Sequence, residues 1–237
     1  MPRFKQRTKR IGLVILLLIL SVATFYAWKL WHYLSRPDVL PFRIVRIVTT
    51  ANYIPQAQLQ TIVSQNLQGG FFSLKENPIQ QALLANFPWA QSVVIQRIWP
   101  DILQINIIEQ VPLAVWQGNQ LINAQGILFT PDPKTFPPGL PQLFGANTQL
   151  QLVLQMYQQV MLDLLPLNLT VTQLVVSPRN SWSLTLSNGI QVVLGHEDVP
   201  TRWQRFIRLY PQLIAPKVTH IKQVDLRYPD GFAIQWS

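Results

Sequence analysis

Residues 11 to 28, IGLVILLLILSVATFYAW, run for eighteen positions without a charge. As a helix rising about 1.5 Å per residue, the stretch measures roughly 27 Å, close to the ~30 Å hydrocarbon core of a bilayer. Arg3, Lys5, Arg7, Lys9 and Arg10 crowd its N-terminal side, and Tyr26, Trp28, Trp31 and Tyr33 its other side, with Lys29 placed to snorkel. Basic residues are retained in the cytoplasm and aromatic rings favour the interface. The pattern predicts a membrane helix with a cytoplasmic N-terminus and an exported remainder. A cleaved signal peptide would carry a 7–15-residue apolar core and small residues at the cleavage site. Here the run is longer and ends in bulky Phe25, Tyr26 and Trp28, which argues for an uncleaved anchor.

An exported part of this length, in a chain 49% hydrophobic, can bury a real core and suggests one or two domains. The net charge of +9 is not a nucleic-acid signature, because five of the nineteen basic residues lie in the first ten positions. Arg202, Arg205 and Arg208 recur at helical spacing and read as a solvated helix face or a contact for an anionic partner. There is no cysteine, which excludes disulfides, thiolate metal sites and cysteine nucleophiles.

After a proline-stiffened linker at 35–41, FRIVRIV (42–48) reads as a strand buried on both faces or nearly so. PQAQLQTIVSQNL (55–67) has a helical period with Leu59, Ile62, Val63 and Leu67 on one face, stopped by Gly69-Gly70. A second helix spans about 78–87, with Ile79, Ala82, Leu83 and Phe87 inward. AQSVVIQRI (90–98) and ILQINIIE (102–109) form an antiparallel hairpin around Trp99-Pro100-Asp101. The unit is β-α-α-β-β, a small sheet with two helices on one face.

Glu109-Gln110-Val111-Pro112 marks a boundary. LAVW (113–116), QLINA (120–124) and ILFT (127–130) follow as strands, then a proline-rich loop at 131–148. Gln151 to Leu165 is a helix with Leu152, Met156, Val160 and Leu164 spaced by four. LTVTQLVVS (169–177), SWSLTLSNG (181–189) and IQVVLG (190–195) are strands, with Ser187-Asn188-Gly189 a hairpin turn. Pro200 to Leu213 is a helix with its arginines opposite Trp203, Phe206, Ile207 and Tyr210. The last stretch alternates through Val224, Leu226 and Tyr228, turns at Tyr228-Pro229-Asp230-Gly231 in type I fashion, and alternates again through Phe232, Ile234 and Trp236. The expected architecture is α+β: a tail (1–10), a single transmembrane helix (11–34), a linker (35–41), a β-α-α-β-β domain (42–111) and a β-rich domain with two helices (112–237).

No phosphate loop, Gly-x-Ser-x-Gly or His-Glu-x-x-His is present. His196-Glu197-Asp198 is the one tight titratable cluster, and its carboxylates suit the N-terminus of the following helix better than a metal. A membrane-tethered β-rich module without chemistry usually binds something. The final strands have nothing after them to cover an open edge, through which a partner segment can add as one more strand. The blander alternative is that this hairpin only completes its own sheet.

RIWPDILQINIIEQVPLAVW (97–116) and LINAQGILFTP (121–131) give the resemblance its words: an aromatic-Pro turn, a strand, a Glu-x-x-Pro junction, a Trp and a glycine hairpin. VVLGHED, RFIRLYPQL and the terminal DLRY segment with its closing Trp continue it. The chain resembles the FtsQ/DivIB family of bacterial cell division proteins, in a Gram-negative setting, with the β-α-α-β-β unit as its POTRA domain. The resemblance implies a non-enzymatic scaffold of the divisome in the inner membrane at the septum, with no cofactor and no metal. It implies capture of FtsB, in complex with FtsL, at the C-terminal edge, and contacts with FtsK, FtsW, FtsI and FtsN. The partner-binding positions it carries over are Arg179, as a carboxylate partner; Tyr228, as an aromatic anchor; Gly231, as a point of close approach; and Trp236, which is either anchor or core. Where the family usually has small polar residues between the tyrosine and the glycine, this chain has Pro229-Asp230. POTRA units also serve outer-membrane protein assembly and secretion machines, which is the alternative function, and a membrane-anchored cell-wall enzyme is a third class.

Overall fold

A computed structural model describes residues 3–36, 38–49, 52–229 and 231–237. Helix α1, Arg3–Leu34, is 32 residues long, about 48 Å at the usual rise. Its stretch Ile15–Leu34 is apolar enough to cross a membrane, with none of it buried. The lipid-like face therefore goes all the way round, as expected of a helix solvated by hydrocarbon.

The chain divides into two compact units, Met1–Glu109 and Gln110–Ser237. In the first, β1 (Ile44–Thr49) is followed by α2 (Gln56–Asn66), α3 (Glu76–Asn86), β2 (Ala90–Ile98) and β3 (Ile102–Glu109). The sheet order is β1-β3-β2. β3 lies between a parallel and an antiparallel neighbour, with Ile44 opposite Ile102 and Ile98 opposite Ile102 on its other side. Period two along β3 buries Leu103, Ile105 and Ile107, and the helices contribute Leu59, Val63, Ile79 and Leu83 to the same core. The expected two-sided burial of β1 is corrected: it is an edge strand, and Ile44, Val45 and Val48 are exposed. An edge position leaves a strand one neighbour short, and only one face of this sheet carries helices. The Glu109 carboxylate accepts the backbone N–H groups of Asn52 and Tyr53 at 3.1 and 3.2 Å, tying the segment after β1 to the end of β3.

The second unit is one nine-stranded sheet. Its strands are β4 (Pro112–Trp116), β5 (Gln120–Asn123), β6 (Leu128–Phe129), β7 (Gln142–Phe144), β8 (Val171–Val176), β9 (Trp182–Leu186), β10 (Gln191–Gly195), β11 (Ile221–Asp225) and β12 (Ala233–Trp236). The order is β12-β11-β10-β9-β8-β7-β4-β5-β6. Helices α4 (Leu150–Leu164) and α5 (Val199–Leu209) share a core with Leu174, Leu184, Val192 and Val224 from the sheet. β7 falls inside the stretch read as a proline-rich loop. At three residues it is too short to show alternation, yet it pairs in parallel with both β4 and β8, and Leu143 is fully buried. In the β5–β6 hairpin, Asn123 Oδ1 accepts the backbone N–H of Gln125 and Ile127, while its Nδ2 donates to Gln110 at 2.8 Å.

The helix expected over 151–165 forms as α4, and the end of the second helix is corrected. The inward face of α4 is Val153, Leu154, Tyr157, Val160 and Leu164, whereas Leu152 is 51% exposed. Steps of four turn about 400°, so a stripe spaced only by four drifts about 40° each time and its ends stand about 120° apart. Helix α5 ends at Leu209 instead of Leu213, passing into a π-type turn at Tyr210–Ile214. Pro211 has no N–H to continue the ladder. On α4, Leu164→Ala should cost about 2–5 kcal/mol of stability. Leu152→Gln should stay within about 0.5 kcal/mol. Thermal and denaturant unfolding of the two variants, followed by circular dichroism, checks the assignment of faces.

Candidate functional site

β12 is the last strand of the sheet, and β11 is its one partner there. Ile234 sits opposite Val224 and leans on the core, so the inner face of β12 is anchored. Its outer edge has no strand beside it among the described residues, and the backbone groups along such an edge are free to pair with an added strand.

Two exposed aromatics bracket this edge. Tyr228, in the connection from β11, is 54% exposed, and Trp236, at the far end of β12, is 52% exposed. Trp236 is therefore not a core residue; Lys217 Nζ stands 5.9 Å from its ring centroid. Gly231 has a φ outside the left-handed region, and a Cβ built on it would meet nothing within 4 Å among the described residues. Nothing among the described residues requires glycine there. The expected type I turn includes Asp230 and so lies partly outside the described residues. Arg179 is exposed in the turn between β8 and β9. By strand direction this turn is at the same end of the sheet as Tyr228, three strand spacings away, or about 14 Å. Tyr228, Gly231 and Trp236 thus lie along one edge, and Arg179 flanks it.

Arginines fix the course of the chain between β11 and β12. Arg205 on α5 donates from Nη1 to the carbonyls of Tyr228 (2.9 Å) and Gly231 (3.0 Å), and from Nη2 to that of Pro229 (2.5 Å). Its rigid planar fork satisfies three acceptors in a segment that has no regular secondary structure. Arg202, one turn earlier, is buried and donates to Leu194 O at 2.8 Å. The reading of these arginines as a solvated face is corrected for Arg202 and Arg205, while Arg208 is exposed as expected. Arg202 is four residues before Phe206, and residues four apart share a helix face, so its stem follows the buried side. That spacing was the available signal, and it was missed.

The third arginine, Arg227, forks onto Asp225, from Nε at 3.0 Å and from Nη2 at 2.6 Å. The backbone N–H of Arg227 also donates to Asp225 at 3.0 Å. The side-chain hydrogen bond from Arg227 holds the Asp225 carboxyl below the usual carboxylate range. Burial opposes this; the Arg227 backbone N–H and the charges of Arg227 and Arg202 add to the lowering. Gly195, at φ +76°, leaves room for the crossing, since a Cβ there would lie 2.9 Å from Arg202 Nη1 and 3.0 Å from Arg227 Cγ. The His196-Glu197-Asp198 cluster serves the same corner, with Glu197 lying 3.7 Å from Arg202 and 3.6 Å from His196. Among the described residues, no group of three His, Cys, Asp or Glu side chains is close enough to hold a metal.

Residues 114–227 match the family profile described as cell division protein FtsQ/DivIB, C-terminal, and residues 40–110 match the POTRA domain, FtsQ-type. The chain belongs to the FtsQ/DivIB family of cell division proteins. It is 40% identical over 203 residues to the cell division protein FtsQ of Coxiella burnetii, covering 86% of this chain and 83% of that protein. Against FtsQ of Xanthomonas campestris it is 35% identical over 195 residues, covering 82% and 69% of the two chains. Against FtsQ of Escherichia coli K12 it is 31% identical over 235 residues, covering 97% and 85%. The β-α-α-β-β unit is thus an FtsQ-type POTRA domain, and the nine-stranded unit is the family's C-terminal domain.

Two outcomes test this corner. Arg205→Ala should release residues 228–231 and raise amide exchange there severalfold while the core of α4 and α5 keeps its protection; Arg205→Lys should restore little, because an ammonium cannot serve three carbonyls in one plane. For Asp225, a folded-state pKa below the unfolded value means stability that is present above the unfolded carboxylate pKa and is lost as pH falls through the folded one. Asp225→Asn should therefore flatten the acid limb of a stability–pH curve below about pH 4 relative to wild type.

Proposed function

We propose that this FtsQ-family protein is a non-enzymatic, single-pass scaffold of the divisome that captures FtsB, in complex with FtsL, by strand addition along the outer edge of β12. The observation that carries the reading is the free edge of β12 with Tyr228 and Trp236 exposed at its two ends. Main-chain hydrogen bonds supply affinity in this mode, and the flanking side chains select the strand. Tyr228 is the aromatic anchor. Gly231 admits close approach of a foreign backbone, which fits a position where a Cβ would meet none of the described residues. Arg179 receives a partner carboxylate, and Trp236 closes the far end of the edge.

We take residues 1–10 as a cytoplasmic tail, 11–34 as the membrane span, 35–41 as the linker, 42–111 as the POTRA domain and 112–237 as the β domain, in the inner membrane at the septum with the bulk in the periplasm. The cluster of five basic residues before the apolar run supports that orientation. On this reading the protein links early and late division proteins, FtsK before and FtsW, FtsI and FtsN after.

The test is binding of the full-length protein, in nanodiscs, to the periplasmic segment of FtsB. Tyr228→Ala and Gly231→Glu should each weaken binding by about thirtyfold or more, the loss of one buried anchor at about 2 kcal/mol. Both variants should keep the wild-type melting curve, since neither side chain is part of the core. Unchanged affinity in a folded variant refutes the edge site, and unfolding of the variants shows the segment to be structural.

A further inference from the structure

The first unit ends, on the side where the chain enters it, in a cluster of aromatic rings that its own fold leaves open. Phe71 meets Phe72 at 5.3 Å between ring centroids, Trp99 at 5.4 Å and Phe42 at 6.0 Å. Trp99, in the turn between β2 and β3, is 63% exposed, and Phe72 is exposed beside it. A soluble domain places its indoles inside or at an interface, so an open Trp–Phe pair on a turn calls for a neighbour.

Chain length says which neighbour is within reach. Helix α1 ends at Leu34, and the backbone N–H of Phe71 donates to the carbonyl of Leu40 at 2.8 Å. Six residues separate the two points, at most about 20 Å of extended chain. Turn bonds from Ser35 to Trp31, Arg36 to Tyr33 and Val39 to Arg36 shorten the path further. The headgroup layer beyond the hydrocarbon is itself some 5–8 Å thick. Tyr26, Trp28, Trp31 and Tyr33 are exposed near the same end of α1, where aromatic residues mark the lipid–water boundary. The ring cluster is therefore tethered within a short span of that boundary. Charge nearly cancels: Arg97 pairs with Glu76 at 2.7 Å and Arg43 with Asp101 at 3.8 Å, and Asp38 beside Arg36 and Lys75 leaves an excess of one positive charge.

We propose that Trp99 and Phe72 insert into the headgroup layer of the bilayer that α1 spans, so that the POTRA unit is seated on the membrane through the β2–β3 turn instead of swinging on its linker. The occupant of this surface is lipid, recognised by amphipathic rings and independent of headgroup charge. The inference rests on α1 spanning the bilayer and is independent of which strand binds β12.

Full-length protein reconstituted alone in phosphatidylcholine nanodiscs gives the test. The emission of the wild type minus that of Trp99→Phe isolates Trp99, because the other seven tryptophans contribute to both. That difference should be blue-shifted, should lose most of its intensity when the lipid carries bromine near the headgroup, and should resist aqueous iodide. A red-shifted difference quenched by iodide and untouched by brominated lipid overturns the proposal. Trp99→Phe keeps a ring on an exposed turn and should melt as wild type. As a second measurement, Trp99→Asp with Phe72→Asp should raise iodide access to a fluorophore on Lys75→Cys, a unique thiol in a chain without cysteine; no change there also overturns it.

Discussion

A sheet edge can receive a strand only if its own last strand is held still, and β12 is four residues long with a single neighbour. Four residues of pairing do not order themselves, because fixing each backbone costs about 1–2 kcal/mol. What holds this edge is the polar corner at the end of β11. Arg205 ties the carbonyls of Tyr228, Pro229 and Gly231 in the connection to α5, and Arg227 locks onto Asp225 at the strand's last residue. Arg202 braces α5 against Leu194 at the end of β10. Helix, sheet and connection meet in one network, and the geometry of the open edge depends on it. Because donors and acceptors are matched, no buried side-chain polar atom among the described residues is left without a partner.

The same logic explains why the helices lie where they do. In the second unit, period two in β9 buries Trp182, Leu184 and Leu186 while Ser183 and Thr185 face away. α4 and α5 each supply an apolar stripe to that one face. α5 also delivers guanidinium groups to the rim, because an arginine stem can follow the buried stripe while its head reaches backbone carbonyls at the border. A helix with the same apolar residues and no Arg202 or Arg205 would cover the core equally well and leave the connection to β12 untied.

Much of this was legible in the residues, and the failures have physical causes. The β2–β3 and β9–β10 hairpins were readable because alternation and turn chemistry agree, as at Ser187-Asn188-Gly189, where Gly189 takes φ +87°. The long apolar helix was readable from the length of its uncharged run. β7 was not, since three residues between prolines carry no period and its pairing is wholly long-range. The exposed face of β1 was hidden because an apolar run says nothing about which strand ends up at an edge. At the candidate site, Tyr228 and Trp236 came from resemblance, and their exposure was beyond reach of alternation, which would have buried both. Arg205 was mistaken for solvated surface because its partners are backbone carbonyls, which leave no trace in side-chain pattern.

The membrane helix and the short edge belong together energetically. A strand pair of four residues flanked by two rings is a small interface, and small interfaces bind weakly when both partners diffuse in three dimensions. A tether changes that, since two partners confined to one bilayer meet at an effective concentration set by their linkers and not by the bulk. Only six residues lie between the end of α1 and the Leu40 carbonyl bonded to Phe71, so a bilayer spanned by α1 would hold the first unit close to its surface. Under that confinement an edge strand needs to discriminate more than to grip. Under the proposed strand capture, the exposed Tyr228 and Trp236, the glycine and the flanking arginine would serve selection. The arginines of the corner, by keeping the edge ordered before any partner arrives, remove the ordering cost that a short strand is least able to offset.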